Sequence, residues 1–172
     1  MIPRPDYIRA ITPFIDVPLV KILAGVRRCG KSTILEMIKE ALKKRGIPEE
    51  HIISRKYTEM DIDDGFSAKD MYLELTAAIA GKGRCYLFLD ELQEVKGWEK
   101  VLNSLLEGAD VDIYVTGSNS KLQSGEISTY LSGRYVLVPV YTLSFQEYLT
   151  FQKKEQADPR GTFEEYLQYG GF

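Results

Sequence analysis

The sequence predicts an α/β fold of three layers, with helices on both faces of a parallel sheet. Three observations carry that expectation. Strand-length apolar runs alternate with segments of helical periodicity along the chain. The run Gly25-Val26-Arg27-Arg28-Cys29-Gly30-Lys31-Ser32 matches G-x-x-x-x-G-K-[ST], the phosphate-binding P-loop that joins a strand to a helix. Cys85 to Leu89 is almost continuously apolar, as in a strand covered on both faces, and it ends in Asp90 and Glu91.

Residues 1–18 form a short lead carrying Pro3, Pro5, Pro13 and Pro18, with room for a turn or two of helix between Tyr7 and Phe14. Leu19 to Ala24 is the first strand. From Thr33 to about Arg45, Ile34, Leu35, Ile38, Ala41 and Leu42 recur at helical spacing. Lys43-Lys44-Arg45-Gly46 closes that helix, with cations suited to the dipole and then a glycine for the left-handed cap. His51 to Thr58 reads as a second strand, and His51 receives no role. Asp61-Ile62-Asp63-Asp64-Gly65 is a turn-rich acidic loop that lacks the twelfth-position glutamate of a calcium loop. Residues 68–80 are an amphipathic helix with Met71, Leu75 and Ile79 on one face. Cys85 to Asp90 is the third strand. Leu92 to Gly108 is loop and then helix, with Trp98, Val101, Leu102, Leu105 and Leu106 as a buried stripe. Val111 to Thr116 is a fourth strand running into Gly117-Ser118-Asn119-Ser120, and Tyr135 to Tyr141 is the last. Ser144-Phe145-Gln146-Glu147 is a capping box that opens a helix. Lys153 to Arg160 is a charged connection, and Thr162 to Tyr169 is a final short helix.

The chemistry gathers at the strand ends. Backbone N–H groups of the loop can curl into a nest for phosphate oxygens, reinforced by the positive end of the following helix. Lys31 then reaches the β- and γ-phosphates, and the Ser32 hydroxyl ligates Mg²⁺. Gly25, Val26, Arg27, Arg28, Cys29, Gly30, Lys31, Ser32 and Thr33 are accordingly the expected contacts of a nucleoside triphosphate. A random chain of this length would show the pattern about once in a hundred tries. The strand before and the helix after make coincidence a minor contender. Asp90 stands where open α/β sheets bind ligands and would hold Mg²⁺ mostly through water. Glu91 would polarise the attacking water. Two solvated acids at a strand end are common in isolation, but not behind a P-loop in the same α/β rhythm. Asn119 or Ser118 is favoured over Thr116 as the polar residue that senses the γ-phosphate. The competing role for Ser118 or Asn119 is a helix N-cap.

Bulk properties narrow the field. With 172 residues and 44% hydrophobic content the chain can bury one domain's core. A net charge of −3 excludes a wholly polycationic nucleic-acid binder. Cys29 and Cys85 lack metal spacing, so reduced thiols and a cytoplasmic location are the expectation. No signal-peptide core and no run of membrane-span length stands in the sequence.

Five motifs in order, Gly25 to Ser32, Phe88-Leu89-Asp90-Glu91-Leu92-Gln93, Thr116 to Ser120, Leu131-Ser132-Gly133-Arg134-Tyr135 and Tyr169-Gly170-Gly171-Phe172, give the chain a family likeness. It resembles the AAA-like prokaryotic P-loop ATPases, in which the ATPase domain precedes winged-helix and nuclease-like domains. The resemblance implies a sheet of the additional-strand catalytic-glutamate type, order 5-1-4-3-2. It implies too that residues 1–172 are the ATPase part of a longer chain. From the motifs themselves ATP and Mg²⁺ are the expected ligands, with Glu91 and Asn119 the expected catalytic residues. Arg134 leads into the last strand, away from the strand C-termini, and is either a finger to a neighbouring subunit or, the reading base rates favour, a structural ion pair at a strand edge. Homo-oligomers, and DNA bound through regions outside this chain, are compatible with the resemblance. A membrane partner is not expected.

Two function classes follow. One is a Mg-dependent ATP hydrolase that drives or switches a downstream domain. The alternative is a nucleotide-dependent regulatory or DNA-associated switch with little intrinsic hydrolysis. Phosphoryl transfer to a small molecule is weaker, because the paired carboxylates suit water activation. No N-K-x-D run supports guanine.

Overall fold

The computed structural model describes residues 3–58, 65–118, 130–152 and 159–171. Five strands, β1 Val20–Gly25, β2 Ile52–Lys56, β3 Cys85–Asp90, β4 Val111–Gly117 and β5 Tyr135–Val140, form one sheet in the order β2-β3-β4-β1-β5. Every pairing is parallel. Read from the other edge this is 5-1-4-3-2, the order the resemblance implies.

Alternation along the strands builds the layers. Val20, Ile22 and Ala24 of β1, Cys85, Leu87 and Leu89 of β3, and Val111, Ile113 and Val115 of β4 share one face. Over that face lie α3 (Ala68–Ile79) through Met71 and Leu75, and α4 (Trp98–Gly108) through Trp98, Val101, Leu102 and Leu105. The intervening residues Leu23, Tyr86, Phe88 and Tyr114 point the other way, against α2 (Lys31–Lys44) and Ile11 of α1 (Pro5–Ile11). Phe88 and Tyr114 stack there with centroids 4.8 Å apart. The core is therefore double, one half on each side of the sheet.

Local chemistry sets the boundaries. Pro5 occupies the first turn of α1, where its missing N–H costs nothing. Gly46 at φ +88 ends α2, its N–H reaching the Lys43 carbonyl while the Ile47 N–H reaches Leu42, a Schellman arrangement. Ser67 and Asp70 cap α3 reciprocally. The box expected at Ser144 is formed as well, with the Ser144 N–H 2.8 Å from Glu147 Oε2 and the Glu147 N–H 3.3 Å from Ser144 Oγ.

That box opens α5 (Phe145–Gln152), and α6 (Pro159–Tyr169) packs on it through Phe145, Phe163 and Tyr166. The last helix begins at Pro159, earlier than the expected Thr162, because a proline at the first helical position is already preset in φ. The Leu143 N–H donates to the Gly171 carbonyl at 2.8 Å, closing the helix pair back on its start.

Candidate functional site

All five strands are parallel, so their C-terminal ends share one edge, and β1 delivers the P-loop there. The chain leaves β1 at Gly25, whose Cα lies so close to β5 that a Cβ would meet the Val140 carbonyl oxygen at 2.2 Å and Cys29 Sγ at 2.7 Å. This glycine is required by proximity. Gly30, at φ +96, is required by conformation, and it turns the chain into α2. Arg27 and Arg28 are exposed, while Cys29 packs inward. Lys31 is buried and folds back over the loop, its Nζ donating to the carbonyls of Gly25 at 3.0 Å and Val26 at 2.9 Å.

A hydrogen-bonded chain runs sideways from the loop across β3 and β4. Ser32 Oγ donates to Asp90 Oδ2 at 2.8 Å and stands 3.1 Å from Oδ1. The buried Thr116 hydroxyl also donates to the Asp90 carboxylate and accepts the Glu91 N–H at 3.0 Å. Glu91 takes up a left-handed backbone, φ 54, which bends the chain off β3. Its Oε2 accepts from Gln93 Nε2 at 2.6 Å, and the same amide reaches Glu94 Oε1 at 3.1 Å. A cleft of about 660 Å³ opens over these groups, with Lys31, Ser32, Asp90, Glu91 and Ser118 in its wall.

On the loop's other side a larger cleft of about 960 Å³ lies between Arg28 to Gly30, the lead around Arg4, and α5. Arg4 and Glu147 line it as a two-point ion pair, Nε to Oε1 at 2.7 Å and Nη2 to Oε2 at 3.1 Å. Burial alone would raise the Glu147 pKa, but Arg4 and the Ser144 N–H hold it below the usual carboxylate range. Thr33 lines this second cleft.

The structure thus brings together Gly25 to Thr33, Asp90 and Glu91. Asn119 lies outside the described residues, as do Asp61 to Asp64. Among the described strand-end groups Thr116 makes the carboxylate contacts, while Ser118 lines the cleft. Arg134 is not brought to the loop. Its carbonyl accepts the Val20 N–H at the start of β1, the opposite edge of the sheet, and its guanidinium pairs with Glu107 at 2.9 Å. Sequence reasoning gave no role to Arg4, which belongs to no motif, or to Gln93, which stands inside the quoted run after Asp90. Hard oxygen donors, Ser32 and Asp90, suit Mg²⁺ that keeps most of its shell as water and phosphate. Among the described residues no group of three His, Cys, Asp or Glu could hold a metal by itself.

A family model described as AAA domain matches residues 18–149. An uncharacterized protein of Haemophilus influenzae is 36% identical over 176 residues, covering 100% of this chain and 44% of that protein. An uncharacterized protein of Methanocaldococcus jannaschii is 32% identical over 163 residues, covering 89% of this chain and 35% of the relative. The chain spans less than half the length of these curated relatives. Among solved structures, the S. cerevisiae Hsp104-ADP complex superposes with a TM-score of 0.68 at 17% identity, over 89% of this chain and 24% of that one. The Thermotoga maritima RuvB Holliday junction branch migration motor gives 0.58 at 18% identity, over 89% and 50%. At these identities the likeness is one of fold.

Proposed function

The chain belongs to the AAA domain family, and from that premise we propose that it binds Mg-ATP at the P-loop and hydrolyses it. Family and fold together support a nucleotide-binding ATPase domain. The observation that carries the finer reading is the connected run Ser32–Asp90–Thr116–Glu91, joined at Glu91 through its N–H, which gathers two hydroxyls and two carboxylate residues at one end of the loop. Triphosphate would lie over the loop N–H groups with Lys31 turned from the Gly25 and Val26 carbonyls to the β- and γ-oxygens. Mg²⁺, held by Ser32 and through water by Asp90, would neutralise charge on those oxygens. Glu91 would orient a water in line with the γ-phosphorus and take its proton as the new P–O bond forms and the bond to the β-phosphate breaks. The larger cleft, mostly apolar and touching Arg28 to Gly30, would take the base.

Lys31→Ala is expected to abolish triphosphate binding in calorimetry. Glu91→Gln should bind Mg-ATP like the parent and lose most phosphate release. Parental turnover in Glu91→Gln would remove the glutamate from the mechanism.

A second reading, a nucleotide-dependent switch with slow turnover, draws on one contact. Gln93 holds Glu91 Oε2 at 2.6 Å, and a further event that breaks this contact would let the carboxylate turn to the water. Phosphate release measured with and without duplex DNA separates the two readings: stimulation favours the gated switch, and a high basal rate favours the plain hydrolase. In either case the work done by the cycle would fall to regions that the longer relatives possess beyond this match.

A further inference from the structure

Resting on the phosphate-binding reading of the loop, we infer that Arg4 is a positioning residue for it. The guanidinium holds the Cys29–Gly30 peptide in the orientation that turns the Gly30 N–H toward a bound phosphate.

The argument starts from the peptide plane. In a trans peptide the carbonyl and the following N–H point in opposite directions. Whatever captures the Cys29 carbonyl on the outside of the loop therefore fixes the Gly30 N–H on the inside. Arg4 Nη1 donates to that carbonyl at 2.9 Å. Without the tether, the peptide could rotate by changing ψ of Cys29 and φ of Gly30 together. Glycine accepts φ of either sign at little cost, so Gly30, at φ +96, does not itself resist the turn. The flipped peptide would present an oxygen to the phosphates where a donor is needed.

The arginine is itself immobilised. It is 5% exposed, and its other nitrogens are all engaged. Nε and Nη2 grip Glu147, which the Ser144 capping box holds in turn. Nη2 also reaches the carbonyls of Tyr141 at 3.1 Å and Thr142 at 3.3 Å. The guanidinium lies 4.6 Å from the centre of the Tyr7 ring. Here Nη1 serves the Cys29 carbonyl while Nε and Nη2 serve Glu147, so an ammonium drawn to the Glu147 carboxylate leaves the place of Nη1 empty. A residue outside the phosphate motif thereby sets the geometry of an amide within it.

Inorganic tripolyphosphate with Mg²⁺ is the discriminating probe, because it engages the loop without entering the apolar cleft that Arg4 also lines. Calorimetry on the 172-residue chain should show Arg4→Ala weakening tripolyphosphate and ATP by the same factor, about ten- to a hundredfold, as loss of one charge-assisted hydrogen bond gives. Arg4→Lys, which keeps the charge beside Glu147, guards against simple misfolding. It should retain the parental circular dichroism spectrum and still lose tripolyphosphate affinity. Parental tripolyphosphate affinity in both folded variants, with only ATP weakened or only thermal stability reduced, overturns the inference and leaves the P-loop reading standing. A parent protein that binds neither ligand overturns both.

Discussion

At the scale of single residues, the most consequential charges outside the loop are Lys21 and Asp112, both fully buried where β1 and β4 begin. Asp112 is shared: Lys21 Nζ, the Tyr114 hydroxyl at 2.8 Å and the Asp16 N–H at 3.0 Å all donate to it. Lys21 also reaches the Val17 carbonyl at 2.8 Å. Removing one partner strands the other in a dry interior, so Asp112→Ala should cost about 3–5 kcal/mol in urea unfolding. The double change Lys21→Met with Asp112→Leu should cost clearly less, because it leaves no orphaned charge. Nearby hydroxyls make an alkaline prediction. Burial first, and then the neighbouring carboxylates, push the pKa values of Tyr86 and Tyr114 well above the ordinary tyrosine value, and burial does the same to Tyr57. Above about pH 10 the unfolded chain releases these protons while the folded chain keeps them. Their contribution is complete below that pH and declines as pH rises beyond it. Lys21 opposes the trend, since burial lowers its pKa and its cost to folding eases toward about pH 10.4. Three tyrosines outweigh one lysine. Thermal melts should fall steeply above pH 10, and Tyr114→Phe should flatten the fall. A melting temperature unchanged between pH 9 and 11 would contradict this account.

At the scale of elements, two glycines mark where chain segments meet backbone to backbone. A Cβ on Gly25 would strike the Val140 carbonyl, and one on Gly171 would meet the Leu143 oxygen at 2.1 Å. The two clashes should differ in reach. Gly25→Ala would push the interior strand β1 from the edge strand β5 at the root of the P-loop and cost about 3 kcal/mol or more in global stability. Gly171→Ala would loosen the closure of α6 onto the start of α5, detected as faster hydrogen exchange at Leu143 with little change in the core transition. Equal global losses would refute the distinction. These glycines also show what could be read in advance. Gly25 was legible as a motif position, but the carbonyl that forbids a side chain belongs to β5, far along the chain. The box at Ser144 was legible because both partners lie within four residues. Its equivalent at Ser67 and Asp70 is just as local, with an aspartate in place of the usual glutamate. The Asp90–Glu91 strand end was visible from apolar continuity. Arg4 was not, since its partners Cys29, Tyr141, Thr142 and Glu147 come together only after the sheet is assembled.

At the scale of the molecule, strand order governs how the site comes into being. The strand that delivers the P-loop comes first among the described strands and lies inside the sheet, and its two neighbours, β4 and β5, come last among them. Val20 is in register with Ile113 on one side and Tyr135 on the other. Such distant pairings carry a large loop-closure cost and slow the search for them. β3 can find β2 long before β1 has anything to pair with. On the ribosome, then, the half-made protein carries its most characteristic sequence as an unpaired apolar strand. It acquires a phosphate site only when synthesis has passed β4 and β5. Val20 to Ala24, buried throughout in the finished sheet, is a stretch that a chaperone would be expected to cover until the later strands emerge.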